Sequence, residues 1–354
     1  MKAILKYSKS AINKAGYVLA GLSTEKISKD QAIEVLENFR SIHTHPLMVF
    51  RMSLRRKSKI ISDDYLISQR LKRAPSIVNK LKIQKNMSLS RMQDIGGLRV
   101  VMSDMQDVYR LKKSIRSGEK QVAFKSVLLR ETDYIKNPKN SGYRSIHLIY
   151  KYKKKIPINQ QCRIEIQLRT KIQHAWATAV EVIGTYLRQP LKQSFGDEEL
   201  LDLFKKISCA FVLLENNESD IKLFEYIIKK ISDLKLDDKL QSFSVATKFS
   251  NDLNKKEKSK GKYFLILLDF KDKKLSVRRF TESNLDQANN EYSELEKKYL
   301  NDKNIEVVLV LVDDIENLKK LYPNYFLDTQ EFLKIIGMIK QKVNNYEKLE
   351  NKNN

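Results

Sequence analysis

Cysteine is almost absent from this chain: only Cys162 and Cys209 occur among 354 residues, and there is no CxxC pair. Two isolated cysteines exclude a disulfide framework, and with only four histidines in all we expect no zinc site. Glycine and proline are also scarce, at 10 and 6 residues, whereas 42% of the residues are hydrophobic. This composition is typical of a packed globular protein that is long enough for two domains.

Long apolar runs are missing too. IEVVLVLV, which ends at Val312, is among the longest and is much shorter than the roughly 20 residues that cross a bilayer. The first residues, MKAILKYSKS, lack the apolar segment and cleavage site of a signal peptide. We therefore expect a cytoplasmic protein with no membrane partner.

Acidic residues are few in the first part of the chain. Residues 1–200 hold 39 Lys and Arg against 17 Asp and Glu, a surplus of 22, whereas residues 201–354 hold 28 against 26, a surplus of 2. A proteome that is rich in lysine would raise the positive surplus of both parts alike. The asymmetry favours a phosphate-rich partner for the first 200 residues, either a nucleotide or a nucleic acid.

The order of the elements predicts an α/β (α+β) fold, with a mixed β-sheet flanked by helices and a smaller α+β part after it. The first 60 residues read as helical, with a helix start at Ser28 or Asp30, and 51–60 as a basic helix end. Residues 70–84 read as a second basic helix with Pro75 in its first turn. Further helices are predicted over 170–188, 197–215 and 219–233, and strands over 97–102, 122–129, 145–152 and 163–168.

After Lys235 the character of the sequence changes. SFSVATKF, KYFLILLDF, LSVRRF and IEVVLVLV read as strands, the second and third joined as a hairpin by KDKK. Helices are predicted over 285–300, shortly after IEVVLVLV, and at the end of the chain, where Asp328 and Glu331 have the spacing of a capping box. We expect two domains, 1–215 and 216–354.

Polar and apolar residues alternate in RIEIQLR, the segment from Arg163 to Arg169. On a strand, this alternation puts Arg163, Glu165, Gln167 and Arg169 on one face. Four polar groups are costly to bury unless they meet other charges, so the pattern suggests a metal and phosphate site. Asp94, before two glycines, could complete such a site with Glu165, because Mg²⁺ usually takes one or two carboxylates. Alternatively, Glu165 only pairs with a neighbouring arginine.

Three segments, DIGGLRVVM, the block from Asp133 to Ile149, and IEIQLRT followed by Trp176, resemble the core motifs of RelA/SpoT-type pyrophosphokinases in the family's order. The resemblance covers roughly residues 40–190. It implies a nucleotidyltransferase-like fold, and an enzyme that moves the β,γ-pyrophosphate of ATP to a ribose 3′-hydroxyl and releases AMP. No His-Asp dipeptide occurs, so the hydrolase domain of the long bifunctional members is not expected.

Carried over by position, the resemblance implies a set of site residues. Asp94 and Glu165 would hold Mg²⁺ and act in catalysis. The ATP-side cations would be Arg70, Lys72, Arg99 and Lys136, with Arg73 as a neighbour. The acceptor side would be formed by Tyr143, whose ring would stack on the acceptor base, with Lys139, Arg144, His147, Gln167 and Arg169. His43, His45 and His174 are expected to be structural or at the surface.

One feature departs from the family pattern. In many members a glutamate follows the motif's tryptophan by four residues, but here Glu181 follows Trp176 by five. On a helix this step rotates the side chain by roughly 100°. Glu181 is therefore expected either to take a different part or to lie on a shifted helix.

The C-terminal segment LYPNYFLDTQEFLKII, with the preceding LVLVDD, resembles the C-terminal domain of CapRel-like fused toxin–antitoxin proteins of phage defence. That resemblance implies pyrophosphate transfer to the 3′ CCA end of tRNA, which blocks translation. It also implies autoinhibition through Tyr322 and Tyr325, with release by a phage capsid protein. The structural alternative is a turn in which both tyrosines pack under the last helix. The alternative function is a (p)ppGpp synthetase that acts on GDP or GTP, and no DNA partner is expected.

Overall fold

A computed structural model of the whole chain defines the fold. It describes residues 3–22, 27–84, 86–117, 126–152, 162–187, 189, 191, 194–236, 248–251, 263–269, 271–272, 274–299, 302, 304–312, 315–323, 326 and 329–353. Within these residues, no helix combines the length and the apolar character needed to cross a membrane.

The chain begins with three helices, α1 (Lys9–Ala20), α2 (Lys29–Ser41) and α3 (Thr44–Ile61). The predicted helix start at Ser28 is confirmed. Its side chain accepts a hydrogen bond from the Gln31 N–H, and the Gln31 side chain accepts one from the Ser28 N–H, which forms a capping box.

A single nine-stranded mixed sheet forms the centre of the described structure, in the order β3-β4-β5-β2-β1-β9-β7-β8-β6. The strands are β1 (Tyr65–Leu71), β2 (Gly96–Met102), β3 (Ser126–Asp133), β4 (Ile146–Tyr152), β5 (Arg163–Thr170), β6 (Lys248–Asn251), β7 (Tyr263–Asp269), β8 (Lys274–Phe280) and β9 (Ile305–Leu311). The fold class predicted from the sequence is therefore confirmed. The expected strand 122–129 starts at Ser126 within the described residues and runs on to Asp133.

The prediction of one helix over residues 70–84 is wrong at its start. Arg70 and Leu71 belong to β1, and α4 spans only Ala74–Ile83, with Pro75 in its first turn as predicted. β1 lies between β2 and β9 and pairs with both. Pairing on two sides outweighs the helical preference of these residues, which is a tertiary effect that local sequence does not reveal.

The other described helices are α5 (Met105–Ser117), α6 (Lys171–Tyr186), α7 (Glu198–Glu215), α8 (Ile221–Asp233), α9 (Leu285–Lys298), α10 (Ile315–Leu321) and α11 (Gln330–Asn353). The β7–β8 hairpin is confirmed. The expected strand SFSVATKF falls mostly outside the described residues, as does Asp328 of the expected capping box.

Strands from both proposed domains share the sheet. β9 pairs antiparallel with β1, with Gln69 opposite Leu311 and Arg70 opposite Val310. The last helix, α11, packs through Phe332 and its neighbours on the cluster formed by α6, α7 and α8. The division at residue 215 remains a proposal about sequence units.

The two faces of the sheet differ where β2 and β5 run side by side. On one face, Ile164, Ile166 and Leu168 are buried against α3 and its neighbours. A Cβ on Gly96 would lie 2.8 Å from the Ile164 side chain, so this face is tightly packed. The other face carries the polar residues of β5, and this is the face on which the candidate site lies.

Candidate functional site

A cavity of about 100 Å³ opens on the polar face, over β1, β2 and β5. The parallel register of β2 and β5 puts Gly97 beside Glu165 and Arg99 beside Gln167, while antiparallel pairing puts Arg70 of β1 beside Gly97. The cavity is lined by Ser68, Arg70, Lys72, Asp94, Gly97, Leu98, Arg99, Glu165, Gln167 and Tyr322. Five of the predicted catalytic and ATP-side residues therefore meet here, together with Gln167 of the predicted acceptor side and one of the two predicted inhibitory tyrosines.

Gly97 gives this cavity its open floor. A Cβ on Gly97 would meet only the Arg70 carbonyl oxygen, at 3.9 Å, whereas a Cβ on the neighbouring Gly96 would clash. The missing side chain lets a ligand approach the backbone closely. The two adjacent glycines therefore serve different purposes, one in packing and one at the cavity.

Asp94 lies between two lysines. Its carboxylate is 3.0 Å from Lys72 Nζ and 2.9 Å from Lys80 Nζ. Burial raises the pKa of Asp94, but the two lysines outweigh burial and the net pKa is lowered, so that Asp94 is a carboxylate at neutral pH. Lys80 was not predicted as a site residue, because it reaches Asp94 only through the packing of α4 beside the 91–96 loop.

Glu165 belongs to a closed ring of hydrogen bonds. His147 Nδ1 lies 3.0 Å from one carboxylate oxygen, and Gln167 Nε2 donates to the other at 2.8 Å. Arg169 donates to Gln167 Oε1 at 2.7 Å and to the Tyr143 hydroxyl at 3.2 Å. Tyr143 completes the ring through His147 Nε2, at 2.8 Å. The alternation predicted for β5 is confirmed from Glu165 to Arg169: hydrogen bonds link the three polar side chains in series, and Glu165 and Gln167 also line the cavity.

The ring keeps the Glu165 carboxylate ionised. Burial raises the pKa of Glu165, but the bonds from His147 and Gln167 outweigh burial and lower the pKa to about 2. Burial lowers the pKa of His147, but Tyr143 and Glu165 raise it to about 9. At neutral pH the pair is therefore an imidazolium beside a carboxylate.

This pair predicts a stability profile. Glu165 stabilises the fold above its ordinary pKa of 4.5, and this contribution is lost as the pH falls toward 2. His147 stabilises the fold below its ordinary pKa of 6.5, and this contribution is lost as the pH rises through 9. We expect wild type to lose about 2–4 °C more in thermal midpoint than His147→Gln between about pH 6 and about pH 10. His45→Gln, tested in parallel, should behave like wild type, and equal losses in wild type and His147→Gln would contradict the assignment.

The C-terminal part of the chain, residues 216–354, contacts the cavity at Arg99. Arg99 Nη1 donates to the Leu321 carbonyl oxygen at 2.9 Å, and its guanidinium lies 5.7 Å from the centre of the Tyr322 ring. The Tyr322 side chain is 1% exposed, and its hydroxyl lies 3.5 Å from the Gln69 carbonyl oxygen. Burial, together with Arg169 and Arg70, lowers the pKa of Arg99 to about 10. Arg99, which is predicted to bind ATP, is therefore covered by Leu321 and Tyr322 at the end of α10.

Six predicted site residues do not line this cavity: Tyr143, His147 and Arg169 belong to the hydrogen-bond ring, and Lys136, Lys139 and Arg144 lie elsewhere. Lys136 Nζ lies 5.8 Å from the Tyr109 ring centre. Lys139 Nζ lies 4.9 Å from the Tyr134 ring and 5.1 Å from the Tyr143 ring. Arg144 turns toward α7, where Nε donates to Ser208 at 3.2 Å. The prediction that Lys136 lies with the other ATP-side cations is therefore wrong for this arrangement, and the predicted acceptor side is divided between the cavity, the ring and the loop before β4.

Tyr143 is 3% exposed, so its ring is covered in this arrangement. Lys139 and Arg169 both lie within cation–π distance of it. A base could stack on this ring only after the side chains around it move. The second predicted tyrosine of the inhibitory element, Tyr325, lies outside the described residues.

Two further predictions concern α6. Glu181 is near enough to Arg99 for its charge to raise the pKa of that guanidinium, although burial and the other arginines outweigh it. His174, expected to be structural or at the surface, is buried, and its Nε2 donates to the Lys320 carbonyl oxygen at 2.9 Å. Both side chains therefore act on the region where the C-terminal part covers the site.

The charged side chains of this cavity are of the kinds that bind Mg²⁺ and the phosphates of a nucleoside triphosphate. Asp94 and Glu165 line the same cavity, and Glu165 acts electrostatically on Asp94. No group of three or more His, Cys, Asp or Glu in the described ranges could hold a metal by itself. Two carboxylates completed by phosphate and water are the usual Mg²⁺ environment. Arg99 Nε has no hydrogen-bond partner within the described part of the chain, which leaves a donor available for phosphate.

Comparison with protein families identifies part of the chain. Residues 69–189 match the family described as a region found in RelA/SpoT proteins. This range contains every predicted site residue except Tyr322 and Tyr325.

Individual relatives cover different shares of the chain. The chain is 28% identical over 192 residues to GTP pyrophosphokinase YwaC of Bacillus subtilis (strain 168), which is 48% of this chain and 85% of YwaC. It is 31% identical over 116 residues to GTP pyrophosphokinase YjbM of the same strain, 32% of this chain and 52% of YjbM. The solved small alarmone synthetase 1 from Bacillus subtilis, bound to its product pppGpp, aligns over 51% of this chain and 93% of its own, with 23% identity and a TM-score of 0.44.

Proposed function

We propose that this chain, whose residues 69–189 match the family described as a region found in RelA/SpoT proteins, transfers the β,γ-pyrophosphate of ATP to the 3′-hydroxyl of a nucleotide acceptor. One observation carries the proposal: two carboxylates and three cations line one cavity over β1, β2 and β5. In the transfer, the acceptor oxygen bonds to the β-phosphorus, the bond from that phosphorus to the α,β-bridging oxygen breaks, and AMP leaves. The acceptor hydroxyl loses its proton.

Each group has a role in this proposal. Asp94 and Glu165 would hold Mg²⁺, which when bound neutralises phosphate charge and orients the triphosphate. Arg70, Lys72 and Arg99 would bind the phosphates of ATP, because transfer of this kind depends mainly on positioning and charge neutralisation. Glu165 would accept the hydroxyl proton, and His147 and Gln167 orient its carboxylate.

Two acceptors are in question. The relatives reported above are named GTP pyrophosphokinases, which favours GDP or GTP and a role as a (p)ppGpp synthetase. The surplus of 22 positive charges in residues 1–200 favours a larger polyanion, the 3′ CCA end of tRNA, because phosphate contacts from Lys and Arg supply most of the affinity for nucleic acid. In the second case the transfer would block translation.

The experiment that separates the two acceptors follows γ-labelled phosphate and AMP release. Purified full-length protein is offered GDP, GTP and deacylated tRNA in parallel, with Asp94→Asn as the inactive control. Label on GDP or GTP identifies an alarmone synthetase, and label on tRNA identifies a tRNA-modifying enzyme. If AMP release is absent with all three acceptors in wild type and also in Tyr322→Leu, described below, the proposed activity is wrong.

The C-terminal part would inhibit this activity. The cavity of about 100 Å³ is smaller than the roughly 300–1,000 Å³ typical of ligand pockets, and Tyr322 forms one of its walls. Arg99, a proposed phosphate ligand, already donates to Leu321. ATP could therefore enter only when the 321–322 segment moves. A partner that binds the C-terminal part would release the site, and a phage capsid protein is the candidate that the CapRel resemblance suggests.

Tyr322→Leu is expected to raise the rate of pyrophosphate transfer about tenfold or more at subsaturating ATP, because the cation–π contact is lost while apolar bulk remains. ATP titrations of AMP release measure the effect. Leu318→Ala is the matched control, since Leu318 is equally buried in the same cluster but does not line the cavity. Equal activation by both variants would indicate general loosening rather than release of Arg99.

A further inference from the structure

Ser208 of α7 lies outside residues 69–189 and contacts the loop that carries Tyr143. Its side chain is 4% exposed. The hydroxyl donates to the Gly142 carbonyl oxygen at 2.6 Å and accepts from Arg144 Nε at 3.2 Å. One hydroxyl thus binds the residue before Tyr143 and the residue after it, and uses both its donor and its acceptor capacity.

The backbone at Gly142 is shaped to fit this contact. Its φ of 88° lies in the region that favours glycine. A Cβ there would lie 3.0 Å from Ser208 Cβ, 3.1 Å from Lys205 Cα and 3.3 Å from Trp176 Cζ2. The loop therefore rests directly on α7, and any longer side chain at 142 would push it away.

The contact continues into the proposed site. His147 Nε2 donates to the Tyr143 hydroxyl at 2.8 Å, and His147 Nδ1 donates to the Glu165 carboxylate at 3.0 Å. Arg144 ties the other end of the loop through the Ile135 carbonyl oxygen at 2.7 Å. A shift of Tyr143 by about 1 Å would break hydrogen bonds of this length.

We propose that Ser208 is a positioning residue that fixes the loop 142–144, and through it the acceptor side of the site. The inference rests in part on the proposed function, because its kinetic consequence concerns the acceptor. Ser208 touches neither carboxylate of the donor-side cavity, and it does not line that cavity. Its loss should therefore weaken acceptor use while ATP use is retained.

Steady-state kinetics with varied acceptor and varied ATP test whether only acceptor use is weakened. They are measured in the full-length protein, both with Tyr322 and with the Tyr322→Leu substitution. Ser208→Ala should raise the KM for the acceptor about tenfold, the effect of losing a pair of buried hydrogen bonds, with the KM for ATP unchanged. Ser208→Thr keeps the hydroxyl and should restore acceptor use. Ser58→Ala is the matched control, since Ser58 is a fully buried helix serine on the opposite side of the sheet. Equal changes in both KM values, or equal effects of Ser58→Ala, would overturn the proposal.

A second measurement does not depend on activity. Trp176 is the single tryptophan of the chain, lies against Gly142, and donates from Nε1 to the Phe204 carbonyl oxygen of α7 at 2.8 Å. Acrylamide quenching of its fluorescence should increase in Ser208→Ala and stay at the wild-type level in Ser208→Thr and Ser58→Ala. If wild type transfers no label to any acceptor, the proposed function fails while quenching still decides whether Ser208 holds the loop. Unchanged quenching in Ser208→Ala would refute the positioning role.

Discussion

Replacement of Glu165 by glutamine is expected to lower pyrophosphate transfer per folded molecule by about a thousandfold or more. Glutamine has nearly the same shape and keeps an oxygen for a hydrogen bond, but it carries no charge. The variant therefore loses a proposed Mg²⁺ ligand and the group that would accept the hydroxyl proton. AMP release under saturating ATP and acceptor measures the effect.

The expected loss is specific to the position of the charge. Glu131→Gln is the matched control, because Glu131 is a carboxylate on the edge strand β3 of the same sheet. It forms ion pairs with Lys112 and Arg116 of α5. It should leave transfer within about twofold of wild type, since a partly exposed ion pair contributes little. If Glu165→Gln retains more than a tenth of wild-type activity, Glu165 serves only to hold the hydrogen-bond ring, and the proposed mechanism is wrong.

The placing of Asp94 and Glu165 near each other could be predicted from the sequence because the signals for these two residues are local. Alternation along Arg163–Thr170 determines which side chains of β5 share a face, and the two glycines before Leu98 mark a close backbone approach. Parallel pairing then brings Glu165 beside Gly97. A strand period and a short motif are therefore enough to place these groups in one cavity.

Other features depend on pairing between distant segments. β1 takes Arg70 and Leu71 from the expected helix because β9, more than 230 residues later, pairs with it. Lys80 and Ser208 reach the site through helix packing, and no residue pattern near either of them indicates this. The covering of the Tyr143 ring follows from Lys139 and Arg169 meeting it from separate segments.

A buried carboxylate ties the C-terminal part to the opposite face of the sheet. Glu296 of α9 forms an ion pair with Arg40 of α2, and the two side chains are 5% and 4% exposed. Tyr292 hydrogen bonds to both of them, with Arg40 Nη2 at 2.7 Å from its hydroxyl. Glu296 also accepts the Ala74 N–H at 2.8 Å, at the N-terminus of α4. The Glu296 carboxylate therefore neutralises the buried Arg40 charge and also accepts a backbone hydrogen bond at the start of α4, the helix that carries Lys80.

Glu296→Ala is expected to lower the free energy of unfolding by about 3–5 kcal/mol, because removing one partner leaves the Arg40 charge buried and uncompensated. Urea denaturation measures the loss. Glu291→Ala is the matched control one turn earlier on α9, where the partner Arg278 is largely exposed, and its cost should stay below about 1 kcal/mol. The double variant Arg40→Met with Glu296→Met should recover part of the loss, because the buried ion pair is replaced by apolar side chains while the Ala74 N–H and the Tyr292 hydroxyl still lose their acceptor.

The same variant connects stability with the proposed inhibition. Glu296 holds α9 while Tyr322 covers the cavity on the other face, so β9 and α10 are fixed between two contacts with the first part of the chain. If the C-terminal part moves as one unit, loss of the Glu296 contact should loosen Tyr322 and raise transfer in Glu296→Ala. The Met pair should lower transfer again in step with the stability that it recovers. Lower stability without higher transfer would mean that the two contacts are independent, and that release of the site requires movement of the 321–322 segment alone.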